Sequence, residues 1–179
     1  FFLNPSITGH VPVKIYTQNI SLEINESQNF LLTSDNLEPF TITSFKISGD
    51  IIGNAQVRIY IDSGKGQKVL VYKNIAKNSD SVTGLRKITG KGQYDIENKN
   101  ADEQDKWLIV KPIKIFLEKE VFDEVSDNEQ LASGHFSQQC TDTCFIKMEI
   151  SRNIAYRLIF LVEKGVVLKI NEIVYQTEE

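Results

Sequence analysis

Two cysteines are the residues of this chain with the clearest capacity for chemistry. Cys140 and Cys144 are its only cysteines, and they close the phrase CTDTC just ahead of the strand-like run from Phe145 to Ile150. Cysteines so close together in an otherwise cysteine-free chain favour a disulfide and an oxidising compartment. We therefore predict a small disulfide-closed loop at the entrance of a strand.

Zinc binding is the alternative chemistry for this segment. His135, Cys140, Asp142 and Cys144 together offer four ligands of the types that zinc takes. Structural zinc sites usually combine two close-spaced pairs of ligands, however, and His135 has no such companion in the sequence. The disulfide is the favoured prediction, with zinc and free thiols as the alternatives.

A second candidate site is a calcium loop. Asn98, Asn100 and Asp102 carry oxygen donors at alternate positions, as at the start of a calcium-binding loop. The sixth position is Glu103 instead of glycine, and the twelfth is Ile109 instead of a bidentate glutamate. We expect a solvated polar loop and no cofactor, with a non-standard calcium site as the alternative.

Catalytic carboxylates are a third candidate. The acidic side chains that follow the middle of the chain are Glu118, Glu120, Asp123, Glu124, Asp127 and Glu129. Glycoside hydrolysis needs two carboxyl groups at a set distance, one of them in an apolar pocket, and no sequence pattern here indicates that arrangement. The chain also lacks a nucleophile elbow and a phosphate loop, and it has 2 histidines. We therefore predict a charged solvent face and no enzyme.

Two N-glycosylation tripeptides point to the cell exterior. Asn19 and Asn25 each begin an Asn-x-Ser sequence, the acceptor for glycans on secreted proteins. Together with the cysteine pair, they predict a glycoprotein that is extracellular or at the cell surface.

The composition limits the class of partner. The 24 acidic and 20 basic residues give a net charge of −4 and are scattered, without a basic block. This balance disfavours nucleic acid and anionic membranes as partners. The apolar share of 41% in 179 residues is typical of one folded domain. No apolar run approaches the roughly 20 residues that a membrane-spanning helix needs.

The periodicity of the apolar residues is that of β-strands. Residues 11–24 alternate between apolar and polar, and a slip of phase in the middle predicts a bulge or a break. A hairpin is predicted from 57–61 to 68–72, because Gly64 and Gly66 supply the positive φ angles of a tight turn. The segment 40–48 also has the strand period.

The C-terminal third continues this pattern. Residues 145–150, 156–162, 166–170 and 173–175 are predicted to be consecutive strands of a meander. About nine short strands with Gly, Asn, Asp and Ser turns predict an all-β fold, a two-sheet β-sandwich or jelly roll.

The N-terminal segment is predicted to be a separate unit. Residues 1–10 form an extension, and residues 11–179 form the sandwich domain. The apolar residues expected to contact a neighbouring subunit are Phe1, Phe2, Leu3, Val11, Val13 and Ile15. An extended segment of this kind can add a strand to another subunit's sheet. The alternative is an ordinary first strand behind the remnant of a removed signal or anchor.

Two segments resemble those of a known group of proteins. Residues 47–60, ISGDIIGNAQVRIY, and residues 136–145, with both cysteines, resemble uncharacterised secreted or membrane-tethered β-sandwich proteins of archaea. The resemblance rests on the positions of the glycines and on the strand-like residue pattern, and it carries over no functional residue. It implies a cell-surface location and a jelly-roll-like fold.

The functional prediction is a non-enzymatic extracellular structural protein. It would be a filament, pilus-like or surface-layer subunit that assembles with itself, joined by N-terminal strand donation. The alternative is a carbohydrate- or surface-binding module that contacts glycans through the polar loop of residues 74–106. A glycosidase-like enzyme with a paired-carboxylate cleft is the third hypothesis.

Overall fold

The computed structural model describes residues 13–64, 67–77, 108–113, 122–146 and 153–178. These residues form eleven β-strands and no helix, which confirms the all-β prediction. The strands are β1 (Val13–Ile24), β2 (Gln28–Ser34), β3 (Thr41–Ile52), β4 (Val57–Asp62), β5 (Lys68–Lys73), β6 (Ile75–Lys77), β7 (Leu108–Ile113), β8 (Glu129–Leu131), β9 (Gly134–Gln139), β10 (Ala155–Val162) and β11 (Val167–Glu178).

The strands build a two-sheet sandwich. Sheet A has the order β1-β11-β3-β9, sheet B has the order β5-β4-β10-β2-β7, and β6 and β8 form a separate ribbon. β1 pairs with β11, β2 with β10, β3 with β9 and β4 with β5, all antiparallel. Strands from the start of the chain therefore pair with strands from its end, as in a long hairpin rolled up on itself. This is the order of a jelly roll.

The core lies between the inner faces of the two sheets. Successive side chains of a strand point to opposite faces, so that Val57, Ile59 and Ile61 of β4 are buried while Arg58 and Tyr60 face outward. The same alternation in the neighbouring strands supplies the rest of the core. The bulkiest fully buried side chains are Tyr156, Tyr175, Phe45, Phe160, Ile24 and Leu32.

The predicted strands of the first half are largely confirmed. The hairpin of residues 57–61 and 68–72 is β4 and β5, with Gly64 at φ 76° in its turn. The slip of phase in the first strand is a shift in register between Asn19 and Leu22, inside the single strand β1. β2 is a strand that the sequence pattern did not indicate, because its polar Asn29 and Thr33 are themselves buried.

β3 is longer than predicted. The strand period covers residues 40–48, but β3 continues to Ile52. A Cβ atom on Gly49 would clash with the backbone carbonyl oxygen of Lys169 in β11. The glycine therefore permits a close approach of two strands inside the sheet, and it does not form a turn.

The predicted C-terminal meander is wrong. β10 lies in sheet B and β11 in sheet A, so the two strands do not pair with each other. β10 pairs with β2 and β4, and β11 pairs with β1 and β3. The predicted strand at 145–150 is not seen at Phe145 and Ile146, which lie outside regular strands; the rest of that range lies outside the described residues.

Candidate functional site

The disulfide prediction is confirmed. Cys140 and Cys144 are bonded, with their Cα atoms 5.2 Å apart. Their sulfur atoms are therefore not available as zinc ligands, and His135 instead contacts Asp50, with Nδ1 3.2 Å from Oδ1. No group of three or more metal-binding side chains occurs in the part of the chain that the structure describes.

The disulfide loop joins one sheet to the other. The backbone N–H of Thr141 donates to the carbonyl oxygen of Val71 at 2.8 Å, and that of Asp142 donates to Leu70 at 2.9 Å. Both acceptors lie on β5, the edge strand of sheet B. The loop thus covers carbonyl groups that an edge strand would otherwise leave exposed.

Thr143 anchors the other end of the loop to sheet A. Its side chain is fully buried, and its Oγ1 donates to the carbonyl oxygen of Phe45 in β3 at 2.6 Å. The N–H of Phe45 donates in return to the carbonyl oxygen of Thr143 at 2.9 Å. The disulfide-closed loop therefore bridges β3 of sheet A and β5 of sheet B.

A second connection between the sheets is made by Asn74, at the end of β5. Its buried side chain accepts the N–H of Val57 at 2.8 Å and donates to the carbonyl oxygens of Ala55 at 2.9 Å and Ala132 at 3.2 Å. The N–H of Ala132 donates to the carbonyl oxygen of Asn74 at 2.7 Å. Since Ala132 lies in the connection between β8 and β9, Asn74 ties the end of β5 to the segment that leads into sheet A.

Between these two connections, aromatic rings close the same side of the sandwich. Tyr72 of β5 stacks on Phe136 of β9, with ring centroids 4.5 Å apart. Burial raises the pKa of Tyr72 above its ordinary value. We call this side, formed by β5, β9 and the segment 140–146, the closed side.

The opposite side, formed by β1 and β7, is here called the open side. Tyr16 of β1 stacks on Tyr175 of β11, with ring centroids 5.2 Å apart, and burial raises the pKa of Tyr175. Gln18 of β1 is buried, and its Nε2 has no hydrogen-bond partner. Within the described ranges, the open side carries no disulfide.

The predicted contact residues fall in two groups. Val13 and Ile15 lie in β1, where they pair with Glu178 and Gln176 of the same chain. Ile15 is 61% exposed. Phe1, Phe2, Leu3 and Val11 lie outside the described residues.

Both sequon asparagines are at the surface. Asn19 is exposed in β1, and Asn25 is exposed in the connection between β1 and β2. The Ser27 hydroxyl of the second sequon accepts a hydrogen bond from the N–H of Val162 at 3.0 Å. The exposure of the two amides is compatible with glycosylation.

Asn98, Asn100 and Asp102 lie outside the described residues, and so do Glu118 and Glu120.

Three described members of the acidic cluster, Asp123, Glu124 and Glu129, line one cleft beside β4 and β5. Asp123 accepts a hydrogen bond from Arg58 at 2.9 Å, and Glu129 accepts one from the Ser126 hydroxyl at 2.9 Å.

Comparisons of the chain with protein-family models, with curated proteins and with solved structures gave no match. Among the described residues, no helix is long and apolar enough to cross a membrane.

Sequence reasoning missed two buried polar residues of the closed side, Asn74 and Thr143. Asn74 looks like the first residue of a polar loop, and Thr143 like a spacer between cysteines. Their roles depend on partners far along the chain, Ala132 and Phe45, so the local sequence carried no signal for them.

Proposed function

We propose that this chain is an extracellular structural protein whose copies assemble through the open side. In this proposal, residues 1–10 of one copy add a strand beside β1 of the next copy. The observation that carries the proposal is the difference between β1 and the other three edges of the sandwich.

Three edges have features that hinder strand addition. On β5, the outer carbonyls of Leu70 and Val71 are already bonded to the disulfide loop. β7 contains Pro112, which has no N–H to donate. β9 has six residues, and Gln138 within it has a φ of 47°, which interrupts a regular strand.

β1 differs from these three strands in its length, and its register with β11 shifts between Asn19 and Leu22. It is twelve residues long without proline, and it pairs with β11 on one side. From Thr17 to Ile24 no described strand lies on its other side. The stretch from Thr17 to Ile24 spans about 27 Å. A strand edge without a neighbour is a template for pairing with another chain.

The segment that precedes β1 has the composition for such pairing. Phe1, Phe2 and Leu3 would bury apolar side chains, while the backbone would supply ladder hydrogen bonds. Each such bond contributes a net 0.5–1.5 kcal/mol, roughly, so a short added strand suffices for stable contact. Ten extended residues reach at most about 35 Å, which is enough to lie along a neighbour's β1.

An extracellular location fits this proposal. The bonded cysteines need an oxidising compartment to persist, and both sequon asparagines are exposed. The assembly would therefore form outside the cytosol.

The test is the molar mass in solution, measured by size-exclusion chromatography with light scattering. The full chain is expected to assemble, and the chain shortened to residues 13–179 is expected to be a monomer. Thr17→Lys, an exposed change on β1, should weaken assembly, because edge lysines oppose strand pairing. The matched control Ser137→Lys, exposed on β9, should leave it unchanged. Equal masses for the full and shortened chains would refute the proposal.

A further inference from the structure

A cleft of about 200 Å³ lies on the outer face of sheet B. β4 and β5 form its floor, and the segment 123–129 forms a wall. The residues that line it are Arg58, Tyr60, Leu70, Lys73, Ile75, Asp123, Glu124 and Glu129. This volume suits a single small ring better than an extended ligand, since sites for drug-sized molecules have about 300–1,000 Å³.

The wall of the cleft is held in place by Arg58. Its guanidinium donates to Asp123 Oδ2 at 2.9 Å and to Gln56 Oε1 at 3.3 Å. Gln56 Nε2 in turn donates to the backbone carbonyl oxygen of Asp123. Burial opposes the charge of Arg58, but the contacts with Asp123 and Tyr60 outweigh it and raise the pKa of Arg58. The side chain of Arg58 is 16% exposed and that of Asp123 is 81% exposed, so a largely buried guanidinium contacts a surface carboxylate at the wall of the cleft.

The floor of the cleft offers an apolar surface. Tyr60 and Leu70 are cross-strand neighbours on the outer face, and Ile75 lies beside them at the start of the ribbon. The ammonium of Lys68 lies 4.2 Å from the centroid of the Tyr60 ring. One face of the Tyr60 ring is therefore outside the core, where it contacts the Lys68 ammonium. At an exposed site this contact is worth about 0.5–1 kcal/mol, so a ligand can displace it.

The rim of the cleft adds one donor and one acceptor. Lys73 and Glu124 are both exposed and form no ion pair with another residue of the described ranges. Ammonium and carboxylate groups make the stronger, charge-assisted hydrogen bonds to hydroxyl groups. Because both signs of charge line the cleft, a neutral ligand with several hydroxyl groups fits better than an anion or a cation.

We infer that this cleft binds one neutral pyranose residue of a glycan. The C–H face of the ring lies on Tyr60, Leu70 and Ile75, and its hydroxyl groups bond to Lys73 and Glu124. The inference does not depend on assembly through β1. It also places glycan contact on the face of sheet B, and Ile75 is the described lining residue that belongs to the segment 74–106.

The experiment is an NMR titration of the full-length ¹⁵N-labelled Thr17→Lys chain, in which assembly through β1 is weakened, with cellobiose, mannobiose and N,N′-diacetylchitobiose. We expect at least one of them to shift amides of β4 and β5 with a Kd on the order of 1 mM. Tyr60→Ala and Glu124→Gln should each weaken that binding by about 10-fold, which corresponds to 1.4 kcal/mol. The matched control Glu26→Gln, an exposed change between β1 and β2, should bind as the parent does.

The inference is overturned if no saccharide causes a shift at about 10 mM, which is ten times the expected Kd. It is also overturned if the shifts are confined to residues outside the cleft, or if Glu124→Gln binds with the affinity of the parent. Tighter binding of inorganic phosphate than of any saccharide would also contradict a neutral ligand. If Tyr60→Ala fails to fold, the surface variant Glu124→Gln decides alone.

Discussion

The closed side and the open side of the sandwich are held together by different interactions. On the closed side, the disulfide loop makes hydrogen bonds to β5 and to β3, and Asn74 makes one to Ala132 in the connection between β8 and β9. On the open side, Tyr16 stacks on Tyr175 within sheet A, and the side chain of Tyr175 interacts with the backbone of Leu108 in β7 of sheet B. In this jelly roll, the edge strand β5 of the closed side is covered by the disulfide loop, whereas the open side has the long edge strand β1. From this difference we expect the closed side to oppose strand addition and β1 to permit it.

The largest effect is expected from Asn74→Ala, on the closed side. The change removes three side-chain hydrogen bonds and leaves buried backbone groups of Val57 and Ala55 without their partners. The free energy of unfolding should fall by about 3 kcal/mol, because each buried unsatisfied group costs roughly 1–3 kcal/mol. Urea denaturation measures this. The control Asn54→Ala is at an exposed position and should change it by less than about 0.5 kcal/mol. A loss below about 1 kcal/mol in Asn74→Ala would show that this connection is not important.

A smaller effect is expected from removing the disulfide. The double variant Cys140→Ser, Cys144→Ser should lose about 2 kcal/mol, since the bond closes a short loop. Tm should fall by about 4–8 °C in differential scanning calorimetry. Reducing agent should lower the Tm of the parent by the same amount and leave the variant unchanged. An unaltered Tm would mean that the hydrogen bonds of Thr141 and Thr143 close this side without the disulfide.

The smallest effect is expected from Gln18→Met, on the open side. Gln18 Nε2 is buried without a partner, so an apolar side chain of similar shape removes a desolvated donor. The monomeric chain of residues 13–179 should keep its stability or gain up to about 1 kcal/mol. Gln56→Met is the matched control, because both ends of that amide are bonded, and it should be destabilising. A clear loss of stability in Gln18→Met would contradict the description of the open side.

Features set by neighbouring residues could be predicted from the sequence. The β4–β5 hairpin depends on a glycine turn, and Gly64 indeed has a positive φ. The disulfide followed from the spacing of Cys140 and Cys144, and the sandwich class followed from the two-residue period.

Features set by distant residues could not be predicted. β10 and β11 are joined by a turn at Gly165 that is equally compatible with a hairpin, yet they lie in different sheets. That choice is made by pairing with β2 and β3, more than a hundred residues earlier in the chain. The contacts of the closed side also join distant parts of the chain, because residues 70–74 meet residues 132–142 only in the folded state. The cleft could not be predicted either, because Arg58 and Asp123 are 65 residues apart in the chain.

The central claim, that β1 is the strand that accepts a neighbour, is tested most directly by hydrogen–deuterium exchange. The assembled full chain is compared with the chain of residues 13–179. We predict that amides between Thr17 and Ile24 that do not bond to β11 exchange at least about 10-fold more slowly in the assembly, while amides of β9 exchange equally in both. Slower exchange confined to β9 or β5, with β1 unchanged, would contradict the account.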